Sequence, residues 1–169
     1  GNFTFTIVKP QAVSKGFVGP ILNKVTEAGF KISALRMLHL TRGEAERFYE
    51  VHQARPFYDD LVEFMISGPI VVSVLEKENA VEAYRTLIGS TDPEKAEEGT
   101  IRKMYAESMR ANAVHGSDSD ENAELEATFF FPSSERFWSA EHDLIDDLYP
   151  GRLVQAWDKS VLHQLQFIA

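Results

Sequence analysis

The chain has 169 residues, a formal net charge of −9 at pH 7, and 44% hydrophobic and 25% charged residues. That length suits one domain with its own core, and no apolar run approaches the ~20 residues that a membrane-spanning helix needs. With no cysteine, disulfides and thiolate metal sites are excluded, and the acidic balance argues against nucleic acid or an anionic membrane as a partner.

Phe3–Val8 alternates apolar side chains with Thr and reads as a strand that Lys9-Pro10 ends. Gly19-Pro20 opens a helix with Ile21, Leu22, Val25 and Ala28 on one stripe, and Gly29 stops it. Phe30–Leu40 is a second strand. Thr41 and Glu44 have capping-box spacing, which starts a helix running to about Gln53. After Pro56, Phe57–Ser67 reads as a short helix that Gly68-Pro69 ends. Ile70–Leu75 is a third strand, rich in β-branched residues, and Asn79 and Glu82 mark a helix that closes at Gly89. Residues 90–111 read as irregular, Asn112–His115 as a short fourth strand, and Ser117, Asp120 and Glu121 as the start of a helix to Phe131 that Pro132 ends. Residues 140–149 read as a further helix before Pro150-Gly151, and Arg152–Ala169 fits no one element. The order β-α-β-(α)-β-α-β predicts a single α/β domain over 1–169, with helices on one face of a small sheet.

The chain lacks the Gly-rich phosphate loops, the zinc-protease motif and the protein-kinase signatures. A site for a polyanion must therefore gather its cations by folding. Lys9, Arg85 and Arg102 all fall at element ends or in the irregular segment, where sites in α/β proteins collect. The most unusual local stretch is Asn112-Ala113-Val114-His115-Gly116-Ser117-Asp118-Ser119. Its histidine follows an apolar pair, and the glycine after it permits close approach of a ligand or an unusual backbone angle. An imidazole is a nucleophile available at neutral pH, yet spacing alone favours a structural histidine beside a turn. Glu126 lies about three helical turns on and could fold back to orient the ring. Most of the acidic run Asp118–Glu126 reads as a solvated helix start that complements the dipole. His39, His52, His142 and His163 show no comparable setting, and Phe57 could be core or an aromatic platform.

Read together, T-I-V-K-P, R-P-F-Y, G-S-T-D-P, G-T-I-R and N-A-V-H-G-S-D-S stand in the order found in nucleoside diphosphate kinases. The chain resembles that family from about Phe3 to Phe131. The resemblance implies a ferredoxin-like α+β sandwich with a four-stranded antiparallel sheet. It implies transfer of the γ-phosphate of ATP or another nucleoside triphosphate to a nucleoside diphosphate, in ping-pong fashion through a phosphohistidine. The matching position for that histidine is His115. Glu126 matches the Glu that bonds the imidazole, Ser117 a supporting Ser, and Tyr49 a Tyr beside the catalytic His. Lys9, Arg85, Thr91, Arg102 and Asn112 match phosphate-binding positions, Phe57 the residue that stacks on the base, and Leu61 its apolar neighbour. Mg²⁺ is expected to arrive with the nucleotide rather than in a protein cage. A homo-oligomer, hexamer or tetramer, and a cytoplasmic location are expected, the latter fitting an N-terminus without the basic-then-apolar order of a secretory signal.

Two departures from the family pattern stand out. Lys9-Pro10-Gln11 replaces the usual Lys-Pro-Asp, removing a charge beside Lys9. The segment over about 132–169 diverges and reads as a C-terminal extension in which Trp138 and Trp157 pack on a neighbouring subunit or on the monomer's own core. These departures motivate the alternative of a catalytically weak nucleotide-binding or interaction paralogue.

Overall fold

A computed structural model describes residues 1–137. The helix expected over 140–149, the segment 152–169, Trp138 and Trp157 lie outside the described residues. Residues 1–136 form one compact unit.

Four strands, β1 (Phe3–Val8), β2 (Lys31–Leu38), β3 (Ile70–Glu76) and β4 (Val114–Gly116), form one antiparallel sheet in the order β2-β3-β1-β4. The two inner strands are buried at every residue but one end each, Phe3 and Glu76, as apolar strands covered on both faces should be. The register sets Phe5 opposite Val74 and Ile7 opposite both Val72 and His115. Successive side chains therefore divide between two cores.

On one face Val8, Val71 and Leu75 pack under α2 (Val18–Glu27), α5 (Ala80–Ile88) and α6 (Ile101–Tyr105), through Ile21, Val25, Tyr84, Ile88 and Ile101. The helices α2 and α5 are the β1-to-β2 and β3-to-β4 connections, which gives the expected ferredoxin-like layer. The other face is covered as well: Phe5, Ile7, Val72 and Val74 meet α3 (Arg42–Phe48), α4 (Tyr58–Met65) and α7 (Asp120–Phe130) through Ala45, Val62, Met65, Ala127 and Phe130. The second layer goes beyond the sequence expectation, because local pattern does not say on which side a helix packs.

Local chemistry explains where element bounds differ from expectation. Pro10 ends β1 and also opens a short helix, α1 (Pro10–Ser14), since a first-turn proline forfeits no helical hydrogen bond. The capping box at Thr41 and Glu44 is formed, with both reciprocal bonds present. Its helix closes at Phe48, and a 3₁₀ turn over Glu50–His52 takes up the remainder. Thr100 accepts from the Lys103 amide and nucleates α6 inside the stretch expected to be irregular. Asn79 precedes α5 in a left-handed conformation without a side-chain cap, so it acts as a turn residue.

Candidate active site

His115 is held at the middle of β4, on the sheet face that carries Phe5 and Ile7. The Phe48 ring meets its imidazole edge-on at 5.8 Å, and the Phe5 ring lies at 6.2 Å. Its Nε2 lies 2.5 Å from Glu126 Oε2, and the two side chains are 24% and 17% exposed. Ser117 Oγ donates to the same oxygen at 3.2 Å and accepts from the Phe5 amide at 3.2 Å, tying Glu126 to β1. Ser117 was expected at the start of α7; that cap is Ser119, which accepts from the Asn122 amide, while Ser117 is fully buried.

The strand carrying His115 starts later than expected because Ala113 has a φ of +70° and the Val114 amide bonds the Asn112 carbonyl at 2.9 Å. This is a γ turn of the strained, positive-φ kind, which costs on the order of 1–3 kcal/mol and persists only where its surroundings enforce it. Gly116 has an unexpected reason to be glycine. Its φ is not positive, and a Cβ there would stand 2.9 Å from Cδ1 of the Tyr84 ring. The close approach read from the sequence is thus to a side chain of α5, not to a ligand.

Two buried cations lie beside this strand. Lys9 follows β1, its amide bonding Ala113 O at 2.9 Å, and is only 7% exposed. Burial, and then the Arg102 charge, push its ammonium down from 10.5 to about 7. Arg102, on α6, donates to Gly89 O and to Val114 O, each at 3.0 Å. Burial pushes its guanidinium down to about 10, with Tyr84 opposing and Arg85 adding to the shift. Arg102 Nε and Asn112 Oδ1 are buried without a hydrogen-bond partner among the described residues. Gln11 donates to Tyr105 O at 3.2 Å, fastening α1 to α6, and as a neutral amide it offers Lys9 no countercharge.

Tyr49 is buried at the end of α3, where burial and then Glu126 raise its phenol; its hydroxyl has no partner among the described residues. Ring contacts run from Tyr49 to His52 at 6.5 Å and from His52 to Phe57 at 5.9 Å. Phe57 caps α4 and is 45% exposed, while Leu61, one turn on, packs against the aromatic core. The structure therefore gathers His115, Glu126 and Ser117 by direct bonds and Lys9, Asn112 and Arg102 along the same strand. Arg85 is exposed on α5 within electrostatic reach of Arg102, whereas Thr91 is exposed and no contact ties it to the others. Phe48 and His52 were missed by sequence reasoning; only the helical turn and the 3₁₀ turn bring them to the site. A cleft of about 770 Å³ lined by Glu82, Arg85, Lys95, Thr100 and Asp120 shares only Arg85 with this set and does not include His115.

A family model described as nucleoside diphosphate kinase matches residues 2–136. The chain is 59% identical over 136 residues to the nucleoside diphosphate kinase of Flavobacterium psychrophilum, covering 80% of this chain and 98% of the relative. It is 56% identical over 132 residues to that of Thiobacillus denitrificans, covering 78% and 93%. Among solved structures, the Aquifex aeolicus nucleoside diphosphate kinase is similar with a TM-score of 0.79 and 44% identity, covering 80% of this chain and 99% of that one. The Halobacterium salinarum enzyme in complex with CDP is similar with a TM-score of 0.78 and 32% identity, covering 85% and 97%.

Proposed function

The chain belongs to the nucleoside diphosphate kinase family, and on that premise we propose that His115 carries the phosphoryl group between nucleotides. The enzyme transfers the γ-phosphate of a nucleoside triphosphate to a nucleoside diphosphate through a phosphohistidine. Identity of 59% and 56% to relatives named as this enzyme sets aside the alternative of a catalytically weak paralogue.

The observation that carries the assignment is the bond from His115 Nε2 to Glu126 Oε2. An ionised carboxylate only accepts, so Nε2 bears the proton and Nδ1 keeps its lone pair. In the first half-reaction Nδ1 attacks the γ-phosphorus, the bond to the β–γ bridging oxygen breaks, and the diphosphate leaves with that electron pair. In the second, the oxygen of an acceptor diphosphate displaces the imidazole. Glu126 fixes the tautomer and Ser117 fixes Glu126, the arrangement a histidine nucleophile requires. Phosphoryl transfer depends chiefly on positioning and on charge placed in advance. Lys9, Arg102, Arg85, Asn112 and Thr91 are proposed to hold the phosphates, Arg102 and Asn112 with buried polar atoms that have no protein partner among the described residues. Tyr49 lines the histidine's side of the site, Phe57 stacks on the base and Leu61 backs it. A π-face is common to all bases, so tolerance for their identity follows.

A divalent ion is in keeping with the family's nucleotide chemistry, and we take it to be Mg²⁺. Bound with the nucleotide, it would offset phosphate charge during transfer. Among the described residues no group of three or more His, Asp or Glu is arranged to hold a metal ion. The cations Lys9 and Arg102 suit phosphate, and a divalent ion arriving with the nucleotide would supply further positive charge there. We propose a homo-oligomer, hexamer or tetramer, with the kinase domain followed by a C-terminal extension from about residue 132. The outer strand β2 exposes Leu35 and Met37, 51% and 59%, in support of a subunit contact. No helix among the described residues is long and apolar enough to cross a membrane, and we place the enzyme in the cytoplasm.

Incubation with γ-labelled ATP tests the central assignment. The wild-type chain takes up label that is stable to base and lost in acid, and His115→Ala takes up none and loses exchange. Full exchange by His115→Ala would overturn it.

A further inference from the structure

The backbone that carries His115 is short of support. Strand β4 has three residues and, among the described residues, lies at the sheet edge and pairs only with β1. It begins at a strained turn, Ala113, which favours relaxation. An imidazole serves as a nucleophile only if its ring stays within a fraction of an ångström of the in-line geometry. Beyond strand pairing, a second hold on this backbone lies on the sheet face opposite the imidazole.

There Thr6 Oγ1 donates to the His115 carbonyl at 2.8 Å and shares a 2.6 Å hydrogen bond with Tyr84 Oη. The direction of the second bond follows from the first. A carbonyl can only accept, so the single Thr6 hydroxyl proton is committed to His115 O. Tyr84 must then be the donor to Thr6 Oγ1. The result is one directed chain, Tyr84 O–H to Thr6 O–H to His115 C=O, in which each hydroxyl polarises the next. Both hydroxyl residues are buried, Tyr84 at 1% and Thr6 at 2% exposure, so water does not compete for these bonds. Burial also keeps the phenol protonated, raising it to about 12. The same α5 ring fills the space that Gly116 leaves by having no Cβ, and Arg102 holds the Val114 carbonyl. Each residue of β4 is thus seated from beneath by one group.

We propose that Tyr84 and Thr6 are positioning residues for phosphoryl transfer, setting the aim of His115 by holding its carbonyl through a directed pair of buried hydroxyls. This rests on the reading of His115 as the phosphoryl carrier. Both hydroxyls are buried and committed to each other and to the His115 carbonyl, so neither is free to bond a nucleotide. Their loss should therefore lower the rate of the chemical step without weakening nucleotide binding.

The experiment measures single-turnover phosphorylation by γ-labelled ATP, with nucleotide affinity measured separately, for the wild-type chain and for Thr6→Val, Thr6→Ser and Tyr84→Phe. Thr6→Val and Tyr84→Phe keep the shape and remove one hydroxyl each. Both should slow phosphorylation by about tenfold and leave nucleotide affinity within about twofold, while Thr6→Ser, which restores the hydroxyl, should return most of the rate. The double variant Thr6→Val with Tyr84→Phe should be no slower than Thr6→Val alone, because the chain is already cut at its middle link. Wild-type rates in Thr6→Val and Tyr84→Phe would overturn the proposal. So would a Thr6→Ser rate as low as that of Thr6→Val, or a loss confined to nucleotide affinity. If Thr6→Val fails to fold, Tyr84→Phe decides alone. No label on His115 in the wild-type chain would instead defeat the assignment on which the proposal rests.

Discussion

Lys9 carries its charge where water gives little help. Its folded pKa is about 7, against 10.5 for a free lysine, with burial as the leading cause and Arg102 second. Near neutral pH the ligand-free enzyme therefore holds this ammonium only in part, and a triphosphate bound against Lys9, as proposed, would restore it. Nucleotide binding at pH 7.5 should take up a proton, read by calorimetry as a binding enthalpy that varies with the buffer's ionisation enthalpy. Lys9→Gln should abolish that dependence. The stability consequence has a definite sign. Between about pH 7 and 10.5 the native chain binds fewer protons than the unfolded one, so this group's contribution to unfolding free energy rises with pH across that window. Below pH 7 the cost of the buried charge is present in full. Urea titrations of the ligand-free protein at several pH values between 7 and 10 should show the rise in the wild-type chain and a flatter profile in Lys9→Gln. That Lys9 matters could be read from its place at the end of β1, but its depressed pKa could not. The shift comes first from burial, which only the folded chain creates, and second from Arg102, 93 residues away in sequence (102 − 9).

The elements show where sequence is a good guide. Period and punctuation located β1, β3 and the core of α2, α4, α5 and α7, because a strand's alternation and a helix's caps are local facts. The Thr41 capping box could be read outright, since both partners lie within four residues. Helices α1 and α6 were invisible because each is five residues long, too short to show a period. The two layers could not be foreseen for a related reason: which face a helix covers depends on strand order, and strand order is a long-range fact. The contact between α5 and β4 is the clearest case. Gly116 reads as conformational freedom and is in fact space for the Tyr84 ring. Gly116→Ala should force that ring or β4 to shift, costing about 1–3 kcal/mol as overpacking does, seen as a lower urea midpoint. Phosphorylation should slow as well, because the same shift moves His115. An unchanged midpoint would mean that the interface yields more easily than its distances imply.

For the molecule as a whole, the match to the family model and the compact unit both end at residue 136. A chain ending after Arg136 should fold, unfold in one cooperative transition and retain nucleotide exchange; light scattering then reports whether the remaining segment contributes to assembly. Loss of folding would show that the last 33 residues (169 − 136) belong to the core. The sheet order has another consequence, in the time taken to make the protein. Strand β1 is synthesised first, yet it lies between β3 and β4, and its Thr6 waits for a partner 109 residues later. Until Glu126 has followed His115 out of the ribosome, the imidazole proposed as nucleophile lacks its bonded carboxylate and Lys9 its neighbouring strand. A chain that has not yet released residue 126 should therefore be inert toward the ATP around it, and competence should arrive almost at once when that residue emerges.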